Sequence, residues 1–108
     1  MSKKHKFETG DILESRWGYD QTNVEFYEVV GTTNCMVQIR EIESQVVQYD
    51  ALRMTGKVMP LAGHFKGEVM RRRVINLKHD EKYHGVSITE YARAYRWEGN
   101  LVGFSEYA

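Results

Sequence analysis

The chain has 108 residues, of which 42 % are apolar and 28 % charged, and 15 basic residues balance 15 acidic ones. This length and composition are typical of one globular domain and exclude wholesale disorder. No run approaches the roughly 18 consecutive apolar residues of a membrane helix, and the N-terminus lacks the apolar stretch of a secretory signal. We therefore expect one cytoplasmic domain over residues 1–108, with residues 1–8 as a flexible basic tail.

The charge is divided unevenly between the two halves of the chain. Residues 1–54 carry 6 basic and 9 acidic side chains, a net of −3, and residues 55–108 carry 9 and 6, a net of +3. The sequence pI is about 6.9, whereas a general nucleic-acid binder usually has a domain pI above about 9. Strong non-specific DNA binding is therefore disfavoured, although a local basic patch fits the second half.

Short segments of alternating apolar and polar residues, rich in β-branched and aromatic types, predict strands. They cover residues 12–17, 24–30, 35–43, 46–49 and 68–76. In the third segment Cys35 shares a face with Val37 and Ile39, which predicts a small buried thiol. Residues 50–67, interrupted by glycines and one proline, predict a long loop with a short strand at 58–59.

The C-terminal segment fits two structures. Residues 87–90 match a capping box, and Tyr91 and Tyr95 have the spacing of a helix stripe. The same region also alternates as a strand, and residues 98–100 then form a turn that returns through Val102 and Phe104. We expect the hairpin because the segment is rich in aromatic residues.

Taken together, the segments predict a mainly β fold. Six or so short strands in one small domain indicate a twisted antiparallel barrel or roll of Src-homology-3-like size, with at most one short helix. Closing such a sheet hides its edges.

The sequence contains no pattern typical of an enzyme or a metal site. It has no phosphate-binding glycine loop and no nucleophile elbow. The four histidines are not spaced as metal ligands, and the single cysteine is predicted to be buried. We therefore expect a protein without catalytic activity, cofactor or metal.

A run of three arginines is the sharpest charge feature. In a strand, Arg71 and Arg73 share one face and Arg72 takes the other. Two guanidinium groups on one face are suited to a phosphate or to the carboxylates of a partner. The alternative is a solvated strand that uses arginine to discourage edge pairing.

A second candidate surface combines aromatic and basic residues on one strand face, namely Tyr91, Arg93, Tyr95 and Trp97. This composition fits base stacking on single-stranded nucleic acid. It also fits a protein–protein hot spot. The third interpretation is a core face with Arg93 at its rim.

The segment from Trp17 to Asn23 is the third candidate site. It places Tyr19 after a glycine and continues with the polar side chains of Asp20 and Gln21. Local side-chain hydrogen bonds stiffen such a loop, and a stiff loop loses little entropy on binding. The alternative is a plug at one end of a barrel. Under both interpretations we expect Trp17 to be buried.

These motifs together resemble a family of small uncharacterised proteins of bacteriophages and mobile elements. The residues that carry the resemblance are WGYDQTNVEFY at 17–27, VQIREI at 37–42, the arginine run at 71–73, YARAY at 91–95 and WEG at 97–99. The resemblance spans about residues 10–107 and carries over no catalytic or binding residues. It implies a phage or plasmid setting, in which small proteins often block host enzymes or defence systems.

The function predicted from these features is a non-enzymatic inhibitor that acts by covering a surface of its target. The expected partner is a host protein or nucleoprotein complex in the bacterial cytoplasm, such as a defence nuclease complex, in the manner of anti-CRISPR or anti-restriction proteins. The alternative is a nucleic-acid-binding accessory module with weak affinity. Neither function involves a membrane.

Overall fold

A computed structural model describes residues 6–18, 22–76, 84–89 and 92–105. Within these ranges every regular element is a strand, and all strand pairs are antiparallel. The strands are β1 (Ile12–Trp17), β2 (Asn23–Thr32), β3 (Met36–Asp50), β4 (Thr55–Phe65), β5 (Met70–Asn76), β6 (His84–Ser87), β7 (Arg93–Arg96) and β8 (Val102–Ser105). The predicted mainly β fold is therefore confirmed.

Six of the strands form a ring. Around the ring their order is β1, β2, β3, β5, β6 and β7, and β7 pairs with β1 again. Because neighbouring residues of a strand point to opposite faces, alternate apolar side chains converge inside the ring. They form the main core: Phe7, Leu13, Tyr27, Val29, Val37, Ile39, Val86, Ile88 and Ala94. Phe7 belongs to the segment predicted as a tail, yet its ring is buried.

The remaining strands form an extension of the sheet beside the ring. The second half of β3 pairs with β4, and β4 pairs with β8. A bridge between Thr22 and Ser105 ties β8 back to the start of β2. A second buried cluster lies on the outer face of β2 and is formed by Phe26, Ile42, Val58 and Val102. The extension therefore covers one part of the outer face of the ring and leaves the rest open.

The long β3–β4 hairpin differs from the prediction of a short strand at 46–49 followed by a long loop at 50–67. β3 has 15 residues and β4 has 11. The pairing register shifts between Ile42 and Ser44 and again between Val46 and Gln48. Each shift interrupts the period-2 pattern, so one bulged strand has the sequence of two short ones. Pro60 lies beside the first shift, opposite Ser44, where a strand tolerates proline.

The predicted C-terminal hairpin is wrong in its pairing. Strands β7 and β8 both form, but β7 pairs with β1 and β6, whereas β8 pairs with β4. Where the capping-box segment is described it is not helical, because Ser87 ends β6 and the amide of Ile88 donates to the carbonyl oxygen of Ala92 (2.9 Å). Both edges of β7 are thus used within the ring, and β8 is free to join the extension.

Cys35 is exposed rather than buried. It lies in the turn before Met36, the first residue of β3, while Val37 and Ile39 are buried as predicted. In the sequence the alternating pattern of β3 continues for one residue before the strand begins. Cys35 lies in a turn there, and its side chain does not follow the pattern. The thiol therefore contributes nothing to the core.

Candidate functional site

The uncovered part of the ring surface carries three exposed arginines. Arg71 and Arg73 lie on β5, and Arg93 lies on β7. Arg72, between the first two, points to the opposite face, as the alternation predicted. We call Arg71, Arg73, Arg93 and Tyr95 the arginine face.

The strand register brings this face together. Val74 pairs with Val86, and Val86 pairs with Ala94, so these three residues form one row that spans β5, β6 and β7. Their side chains point inward, and the residues next to them in each strand point outward. The Cα atoms of Arg73 and Arg93 are therefore about 10 Å apart, which is two strand spacings. Along β5, the Cα atom of Arg71 is about 7 Å from that of Arg73.

The ring of Tyr95 lies over Gly85 of β6, the strand between the two arginine-bearing strands. Tyr95 pairs with Gly85, and its Cε1 atom is 2.9 Å from the position that a Cβ atom on Gly85 would occupy. A side chain at residue 85 would displace the ring. The absence of a side chain on Gly85 therefore makes room for the ring of Tyr95 over β6, and 38 % of Tyr95 is exposed.

Arg16 adds a fourth cation beside this face. The hydroxyl of Ser15 is buried and donates to the carbonyl oxygen of Arg93 (2.9 Å), which fixes β1 against β7. The next residue, Arg16, is exposed on the outer side, with its guanidinium 3.4 Å from Glu14. Sequence reasoning missed Arg16, although alternation in β1 gave its direction, because the sequence does not show that β1 and β7 are neighbours.

Trp97 does not belong to the arginine face. It follows β7 and packs edge-on against Phe26, with ring centroids 6.5 Å apart and an interplanar angle of 78°. Its indole N–H donates to the carbonyl oxygen of Asn100 (2.7 Å). The core interpretation therefore holds for Trp97, while Arg93 and Tyr95 are exposed. Tyr91, predicted on the same face, lies outside the described residues.

The Trp17–Asn23 segment is described only at its ends. Tyr19, Asp20 and Gln21 lie outside the described residues, so their predicted role as contact surface stays a prediction. Trp17 pairs with Asn23 at the end of the β1–β2 pair. It is 46 % exposed, so the expected burial is wrong. β1 extends beyond the apolar core, so the inward-facing side chain of Trp17 lies beside an open pocket instead.

That pocket lies at the open end of the ring and has a volume of about 490 Å³. Inside it the hydroxyl of Tyr27 donates to Oε2 of Glu25 (2.7 Å). Burial, and secondarily this bond with Glu25, raise the pKa of Tyr27 above its usual range. We call this the ring-end pocket, and its lining residues are Trp17, Glu25, Tyr27, Glu41, Met70, Arg72, Ile88, Thr89 and Ala92.

The β3–β4 hairpin carries a second feature that sequence reasoning missed. Apolar side chains are exposed along it, and Leu52 at its tip is 97 % exposed. One of them, Tyr49, stacks on Phe104 of β8 with ring centroids 6.2 Å apart. The large apolar residues exposed on the hairpin are Val46, Val47, Tyr49, Leu52 and Phe65.

The described part of the chain offers no group of three or more His, Cys, Asp or Glu side chains that could hold a metal ion. Nor does it contain a helix of the length and apolarity that crossing a membrane requires. No family model, curated protein or solved structure matches the chain. Function must therefore follow from the arrangement of the side chains.

Proposed function

We propose that the protein is a non-enzymatic binding module that covers an acidic surface of a partner protein. The arginine face carries this proposal, because it gathers Arg71, Arg73 and Arg93 on one open side of a closed ring. In the phage or mobile-element setting that the motifs resemble, the partner would be a host protein or a defence nuclease complex. Inhibition would follow from occlusion of the partner's surface.

The chemistry of the face suits a protein partner. Arginine forms bidentate bonds with carboxylates, and arginine and tyrosine are enriched at interface hot spots. The strands hold the Cα atoms of the three arginines at fixed spacings, so little backbone entropy is lost on binding. A positive face on a neutral chain also steers an acidic partner toward this side.

The test is an affinity capture from bacterial lysate, followed by titration of the captured protein. The wild type is compared with a variant in which Arg71, Arg73 and Arg93 are changed to glutamate. Arg53→Glu serves as a control, because Arg53 is exposed on the β3–β4 turn, away from this face. We expect the triple variant to lose the captured partner and the control to keep it. Equal affinity of all three proteins would refute the proposal.

A nucleic-acid-binding accessory module is the second candidate, and the flat ring of Tyr95 beside the arginines favours it. Each phosphate contact on a single strand adds about −0.7 to the slope of log affinity against log salt. Three arginines would give about −2, and Arg71→Ala with Arg73→Ala would leave about −0.7. The neutral chain leads us to expect little binding. Tight oligonucleotide binding at physiological salt would favour this candidate over the first.

A further inference from the structure

The ring-end pocket is lined by inward-facing residues of the ring strands. They are the next inward-facing positions, two residues along each strand, beyond the apolar core. Tyr27 pairs directly with Glu41, so their side chains share the inner face. Glu25 lies two residues before Tyr27 on β2 and therefore also points inward. At this end the ring interior changes from apolar to charged, with Glu25, Glu41 and Arg72 in the lining, while the pocket stays open to solvent at Trp17.

The two carboxylates keep unused acceptor capacity. Glu25 has one polar partner in the described part of the chain, the hydroxyl of Tyr27. Glu41 is 3.5 Å from Nζ of Lys66, and nearly half of the Lys66 side chain is exposed to solvent. An ionised carboxylate has about four acceptor positions. Both groups can therefore accept further hydrogen bonds from a ligand.

Arg72 lines the same pocket, but its donors are directed at the protein. Its Nε donates to the carbonyl oxygen of Ile88 (2.9 Å), and its Nη1 donates to the carbonyl oxygen of Arg71 (2.9 Å). Nη2 lies 3.4 Å from the sulfur of Met70. The guanidinium thus ties β5 to the turn after β6, and it forms no ion pair with Glu25 or Glu41 among the described contacts.

The remaining walls suit a cation on an alkyl stem. Trp17 presents a half-exposed indole at the rim, and aromatic faces attract cations. Met70, Ile88 and Ala92 supply apolar wall for a hydrocarbon chain. The volume of about 490 Å³ lies within the usual range for small-ligand sites.

We infer that the ring-end pocket binds an alkyl guanidinium or alkyl ammonium group, with Glu25 and Glu41 receiving the cation and Trp17 covering it. Burial is the main cause of the raised pKa of Tyr27, and the charges of Glu25 and Glu41 add to it, while the charge of Arg72 opposes it. The cation comes either from a free small molecule or from an arginine or lysine side chain of another protein. This site is separate from the arginine face, and the inference does not depend on the proposed function.

The test is an NMR titration of the whole protein with n-butylguanidinium, read at the indole N–H of Trp17. Trp97→Phe assigns that resonance, since the chain has only two tryptophans. n-Butylurea is the matched neutral probe of nearly the same shape. We expect saturable binding of the cation that is at least about tenfold tighter than that of the urea, because hydrogen bonds to ionised groups are the stronger ones.

Glu25→Gln removes a charge from the pocket with almost no change of shape, and we expect it to weaken cation binding by about tenfold. Glu43→Gln is the control, because Glu43 is exposed on β3 and does not line the pocket. Changing Arg71, Arg73 and Arg93 to glutamate should leave the pocket site occupied by the cation, which separates this test from that of the proposed function. Equal binding of cation and urea, or an unchanged affinity in Glu25→Gln, would overturn the inference.

A second pair of probes distinguishes the two sources of the cation. The first is a blocked Gly-Arg-Gly peptide, and the second is the same peptide with citrulline, the neutral analogue of arginine. Tighter binding of the arginine peptide than of n-butylguanidinium supports a protein side chain as the ligand. Binding of n-butylguanidinium alone supports a free small cation. Absence of binding by both cations overturns the inference.

Discussion

The contact between Gly56 and the neighbouring strands gives a sharp test of the extension. Gly56 pairs with Tyr49 of β3 and with Phe104 of β8. A Cβ atom added to Gly56 would lie 2.5 Å from the carbonyl oxygen of Gln48 and 2.6 Å from the ring of Phe104. Because one of these atoms belongs to the backbone, the side chain of an alanine cannot be accommodated by a rotamer change alone.

The cost of Gly56→Ala follows from this overlap. Overpacking of this kind typically costs about 1–3 kcal/mol. An entropy of unfolding of about 2.1 cal/mol/K per residue gives roughly 0.23 kcal/mol/K for a chain of 108 residues. The expected fall in Tm is therefore about 4–13 °C.

Gly103→Ala is the matched control, because Gly103 lies on β8 opposite Lys57, next to the same contact. Its Cβ atom would be 3.9 Å from the nearest atom, the carbonyl oxygen of Gly56. Alanine there restricts the unfolded chain and should leave Tm unchanged or raise it slightly. Thermal and urea unfolding of the two variants, followed by circular dichroism, measure the difference. Equal Tm values for both variants would refute the placement of β8 against β4.

Three further predictions concern single side chains. Trp17→Ala should change the free energy of unfolding by less than about 1 kcal/mol, whereas Trp97→Ala, which loses the packing on Phe26, should cost about 2 kcal/mol or more by urea unfolding. Cys35 should react with a thiol reagent in the native protein nearly as fast as in urea, and strong native protection would contradict its exposure. Because the pKa of Tyr27 is raised, the folded chain keeps a proton that the unfolded chain loses, so stability should fall above about pH 10. Tyr27→Phe should flatten this fall, and an unchanged pH profile would argue against a buried phenol.

Local features of the arginine face could be predicted because they depend only on the strand period. The alternation at 71–73 predicted that Arg71 and Arg73 share one face and that Arg72 takes the other, and the structure adds that the face of Arg72 is the inner one. The same period placed Val37 and Ile39 in the core. The strand period predicted the wrong burial for Cys35, because this residue lies in the turn before β3 although the alternating pattern includes it.

The joining of Arg73 and Arg93 on one surface could not be predicted. It depends on β6 lying between β5 and β7, and β6 has only four residues. A hairpin of β7 with β8 satisfies the same local pattern of alternation and turn residues. The ring-end pocket was missed for a similar reason, since Arg72 of β5 joins Glu25 and Glu41 of β2 and β3 only through the closure of the ring.

The sequence by itself determined the class of the fold, the antiparallel barrel form and the face on which most strand residues lie. These properties follow from the steric preferences of each residue and from the two-residue period of a strand, which act over short distances. Only the tertiary structure decided which strands pair, where β3 bulges, and that the ring closes through β1 and β7. Backbone hydrogen bonds are the same for every pair of strands, so the choice depends on which pairing buries both apolar clusters and hides the sheet edges at once.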